Sequence, residues 1–123
     1  MKKFILIIFL LIHNPLYSEF FNSKQEEKIL TDKLMASYGY AYMNCLLKQG
    51  TLKKEIRDKG ITTTLQITEE LLKNEFNIDP NLLQNEKVMQ TAKDIERLIG
   101  PNCENKIFLQ SEDVFINLIN SLR

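Results

Sequence analysis

The chain has 123 residues, with 16 Lys and Arg balanced by 16 Asp and Glu, one histidine and two cysteines. That length suits a single modest domain. The even charge argues against nucleic acid or an anionic membrane as partner, because both call for clustered Lys and Arg.

The opening stretch MKKFILIIFLLIHNPLYSEFFN has the layout of a secretory signal peptide. Lys2 and Lys3 form a positive start, Phe4 to Ile12 is an unbroken apolar run, and His13, Asn14 and Pro15 end it. A membrane-spanning helix needs roughly 20 apolar residues, about twice this run. Ser18 offers a small residue for cleavage, so residues 1–18 are expected to leave as the signal and 19–123 to form one helical domain. No cysteine lies near the cleavage point, and no anchor is expected to remain. A periplasmic or secreted protein follows.

Export removes Lys2 and Lys3, leaving fourteen basic side chains against sixteen acidic ones. It also removes His13, the only histidine. The mature chain then has no Ser-His-Asp or Cys-His machinery and no imidazole for a metal. Enzymatic routes would have to use carboxylates, Lys or Tyr. The expectation is no catalytic residue, no cofactor and no metal site.

Lys24 to Gln49 reads as one long helix, ended by Gly50. Leu34, Tyr38, Ala41, Tyr42 and Cys45 recur at helical steps and predict a single apolar stripe. Gly39 leaves a notch for a neighbouring helix. Tyr40, turned about 200° from Tyr38, shares a face with Ser37 and Asn44 and is the aromatic assigned to contact a partner. On this reading Tyr42→Ala is costly and Tyr40→Ala nearly neutral.

A short helix is expected from Thr51 to Gly60, with Ile56 and Ile61 closing its end. The run KKEIRDK is a solvated face and not a nucleic-acid patch, interrupted by Glu55 and Asp58. Residues 61–68 fit strand alternation or a helix, and no partner strand is evident. A threonine-rich entry into a helix reaching about Phe76 is expected, capped at Thr68 with Glu69 and Glu70 in its first turn. Asp79 and Pro80 then open a helix whose buried stripe is Val88, Ala92, Ile95 and Ile99, ended by Gly100 and Pro101. The last helix starts at Ser111, with Glu112 and Asp113 in its first turn and Phe115, Leu118, Ile119 and Leu122 on its apolar face. The adjacent acidic pairs diverge by about 100° on a helix and so do not converge on one atom.

The fold class is therefore all-α: a small single-domain bundle of four or five helices with short connections. Two cysteines in an exported chain predict one disulfide, Cys45–Cys103. In size, export and cysteine use the chain is similar to two kinds of small helical periplasmic protein, acid-stress chaperones and toxin-immunity proteins. That similarity carries over no residues. The functional expectation is a helical binding protein whose partner is another protein; a small carboxylate-dependent cell-wall enzyme is the alternative.

Overall fold

The computed structural model describes residues 21–50, 63–100, 102–103 and 112–123. The expected signal peptide, the helix expected at 51–60 with Ile56 and Ile61, and the caps assigned to Pro101 and Ser111 lie outside these residues. Among the described residues the fold is all-α. It comprises α1 (Lys24–Gln49), α2 (Thr64–Asn74), a 3-10 turn (Pro80–Gln84), α3 (Glu86–Leu98) and α4 (Glu112–Leu122). None of these helices is long and apolar enough to cross a membrane.

α1 begins and ends where local chemistry sets its limits. The Ser23 hydroxyl accepts the Glu26 N–H at 3.0 Å, and Glu26 and Glu27 place negative charge in the first turn. Gly50, at φ 67°, takes the left-handed conformation and returns its N–H to Leu47 O at 3.1 Å.

The single stripe expected on α1 is corrected. Residues 34–39 are buried without interruption, and Ala41 and Met43 are buried as well. α1 is a central spine flanked by α2, α3 and α4. Its small residues Ala36, Ser37, Gly39 and Ala41 admit close neighbours. Gly39 is the predicted notch: a methyl group built there would lie 3.6 Å from Thr68 Cγ2 and 4.0 Å from Leu71 Cδ2 on α2. On another side the buried Ser37 hydroxyl lies 2.9 Å from Val88 O of α3.

The cap of α2 is also corrected. Thr63, not Thr68, holds the N-cap, its hydroxyl accepting the Gln66 N–H. Thr68 is buried one turn further on and donates to Thr64 O at 2.7 Å. Glu69 and Glu70 therefore sit beyond the first turn. After α2 the chain turns at Asn77, at φ 53°, and the Ile78 N–H returns to Leu72 O. Asn tolerates this left-handed conformation better than most residues.

The long helix expected from Pro80 is two elements. Asp79 caps and Pro80 opens the 3-10 turn; Asn85 then caps α3 through the Val88 N–H at 3.1 Å. The predicted stripe holds, with Val88, Ala92, Ile95 and Ile99 all buried. So does the apolar face of α4, where Phe115, Leu118, Ile119 and Leu122 are buried against the spine.

Cys45 and Cys103 form the expected disulfide, their Cα atoms 5.8 Å apart across 58 residues of sequence. It ties the C-terminal end of α1 to the segment that follows α3. Such a bond is compatible with an oxidising compartment outside the cytoplasm.

Candidate protein-binding groove

An open groove of about 460 Å³ lies between the first three turns of α1 and the end of α4. Its apolar lining is Ile29, Leu30 and Leu122, and its polar lining includes Glu26, Lys33 and Arg123. Leu30 and Leu122 belong to the core, whereas Ile29 is 47% exposed. Isolated exposed aliphatics are commonplace; Ile29 differs in forming the lip of a concavity floored by core residues.

The rim is organised from both chain directions. Arg123 Nη2 lies 2.9 Å from Glu26 Oε1, joining the end of α4 to the start of α1. Asn22 Nδ2 donates to Glu26 Oε2 at 2.9 Å, and Arg123 Nη1 donates to Asn120 Oδ1 at 3.2 Å. Ser23 and Glu26 have the spacing of a capping box, but the Glu26 carboxylate faces Arg123 and Asn22. Of the groove residues, the sequence reading singled out only Leu122, and that as part of the apolar face of the last helix. The available signal was Ile29, an apolar residue on α1 outside the predicted stripe that begins at Leu34.

The assigned contact residue, Tyr40, lies elsewhere. It is half-buried and packs against the core. Its expected face-mates are engaged by other helices: Ser37 is buried against Val88 O, and Asn44 Nδ2 donates to Glu96 Oε1 at 2.6 Å. Lys48 Nζ reaches the same Glu96 oxygen at 2.8 Å, and the Thr64 hydroxyl donates to Asn44 Oδ1 at 3.0 Å. This polar chain links α1, α2 and α3 through contacts made within the molecule. The face expected to be open around Tyr40 is thus largely covered.

The other titratable groups offer little chemistry. Burial pushes the Tyr38 phenol well above its ordinary range, and a phenolate at neighbouring Tyr42 would add to the effect, so Tyr38 keeps its proton well into alkaline pH. Glu69 and Glu70 line a separate open groove with Gln66, Lys73 and Pro80. Among the described residues no three His, Cys, Asp or Glu side chains gather as metal ligands, and both cysteines are in the disulfide.

No protein-family model, curated protein or solved structure matches this chain.

Proposed function

We propose that this chain is an exported, disulfide-fastened helical protein, periplasmic or secreted, that acts by binding another protein and not by catalysis. The carrying observation is the groove at the start of α1, where half-exposed Ile29 stands over core residues Leu30 and Leu122 between Lys33 and the Glu26–Arg123 pair. An apolar floor with a charged rim is the usual composition of a protein-binding patch. Support for export comes from the Lys2–Ile12 pattern and from the disulfide.

The test is expression of the full chain with a photoreactive residue at position 29. Export predicts a product outside the cytoplasm that begins near Glu19 and carries no free thiol. Groove binding predicts a discrete protein adduct from position 29 and none from a control at exposed Gln90. A product retained in the cytoplasm with an intact N-terminus removes the first half of the reading. No adduct at position 29 removes the second.

A further inference from the structure

We infer that Cys45 and Cys103 form a dithiol site on an already folded chain: the protein folds with both thiols reduced, and a disulfide-bearing oxidant then enters at Cys45, with Cys103 as the resolving thiol. The noncovalent clamp beside the two residues and their unequal burial carry the inference.

The clamp closes this joint without sulfur. Asn44, next to Cys45, donates to Glu96 Oε1 at 2.6 Å, and Lys48 Nζ reaches the same oxygen at 2.8 Å. The last turns of α1 and α3 are thereby held together. Beyond α3, Ile99 is buried, and the Cys103 N–H returns to Gly100 O at 2.9 Å. That turn holds Cys103 at φ 54°, a conformation that a residue other than glycine keeps only where its surroundings fix it. The core that joins Leu34 and Tyr38 of α1 to Phe115 and Leu122 of α4 lies on helices that the bond does not connect. Only below roughly 40 residues does folding usually need a covalent tie, and this chain has 123.

The two cysteines are unequally placed. Cys103 is 7% exposed and belongs to the core, whereas Cys45 is half-buried at the core's edge. Exchange requires a thiolate with access to the oxidant, so Cys45 is the one that meets it. The Cys45 thiolate attacks one sulfur of the incoming disulfide, forms a mixed disulfide and releases the other sulfur as a thiolate. The Cys103 thiol then gives its proton to solvent and attacks Cys45 Sγ, expelling the second half of the oxidant. The protein loses two electrons and two protons, and one oxidant disulfide becomes two thiols.

Oxidised glutathione is the probe, acting on the purified chain after reduction. The reduced chain should keep the helical circular dichroism of the oxidised one and unfold cooperatively at a lower urea concentration. Its thiols should close with an effective concentration about a thousandfold above that of the same chain in concentrated urea. Glu96→Ala should lower that ratio several-fold, while Lys28→Ala, near the other end of α1, leaves it within about twofold. In Cys103→Ala, the remaining Cys45 thiol should form the mixed disulfide at least about tenfold faster than Cys103 does in Cys45→Ala. Concentrated urea should make the two rates equal. A reduced chain without a cooperative transition overturns the inference, as do equal rates in the two folded variants. If either variant fails to fold, acid quenching of the reduced parent during oxidation locates the first mixed disulfide by peptide mass. Glutathione on Cys45 supports the order, and glutathione on Cys103 overturns it.

Discussion

Tyr38 and Tyr42 stack one turn apart on α1, with ring centroids 6.3 Å apart and planes 19° from parallel, yet their surroundings differ. Tyr38 is fully buried in the core, while Tyr42 is half-buried at its edge. Tyr38→Ala is therefore the severe substitution, expected to cost about 3–5 kcal/mol. Tyr42→Ala should cost clearly less. Tyr40→Ala should cost more than the near-zero its expected exposure implied, because it packs on the core. Urea denaturation of the three variants gives the order.

Burial of Tyr38 also sets an alkaline limit. Its folded-state pKa is raised above the ordinary 10.0, so the unfolded chain releases this proton first. The stabilisation of the neutral phenol is complete below pH 10 and is lost progressively as pH rises toward the folded-state value. Above pH 10 the loss approaches about 1.4 kcal/mol per pH unit from this residue. Stability measured from pH 8 to 12 should fall more steeply for the parent than for Tyr38→Phe.

Two glycines should respond with opposite signs. Gly39 is helical, and an added methyl would meet Thr68 and Leu71 at ordinary contact distances of 3.6 and 4.0 Å. Gly39→Ala is expected to stabilise by about 1 kcal/mol through helix propensity. Gly50 holds φ 67° with open space around it. Gly50→Ala should destabilise by about 1–2 kcal/mol from left-handed backbone strain alone. Thermal melts of both variants check the signs.

Two buried threonines form a similar contrast. Thr68 donates to Thr64 O, whereas the buried Thr91 hydroxyl has no hydrogen-bond partner among the described residues. Replacing an unpaired buried hydroxyl with a methyl removes a desolvation cost of about 1–3 kcal/mol. Thr91→Val should stabilise, while Thr68→Val should be neutral or mildly destabilising. Equal effects at the two sites would contradict the assignment of their hydroxyls.

The disulfide should contribute about 4 kcal/mol in the chain-entropy model for a loop of this size. Cys45→Ala/Cys103→Ala is expected to lower stability by that order. Reductant should reproduce the loss in the parent and leave the double variant unchanged.

What the sequence made legible follows the range of the interactions concerned. The limits of α1 could be read to the residue at Lys24, Gln49 and Gly50 because a helix end is governed by neighbours within one turn. The stripes of α3 and α4 could be read because each helix buries one face. α1 buries most of its surface, and its stripe failed for that reason; Ala36, Ser37, Gly39 and Ala41 were the signs of a crowded spine. Around α2, several hydroxyl residues compete as caps, and the packing of Ile67, Leu71 and Leu72 into the core selects Thr63. The Asp79–Pro80 start was sound, but Asn85 supplies a second cap and divides the helix. The groove depends on Glu26 meeting Arg123, residues 97 positions apart in the sequence, so no local pattern announces it.

The spine is fastened at both ends by bonds of different kinds. Near its C-terminus a covalent bridge holds α1 to the segment after α3, while near its N-terminus a partly exposed ion pair holds it to α4. Salt screens the second and leaves the first untouched; a thiol reductant does the reverse. Salt therefore acts only on the rim of the groove, because Phe115, Leu118, Ile119 and Leu122 keep α4 buried against the spine, whereas a reductant removes the covalent tie at the opposite end.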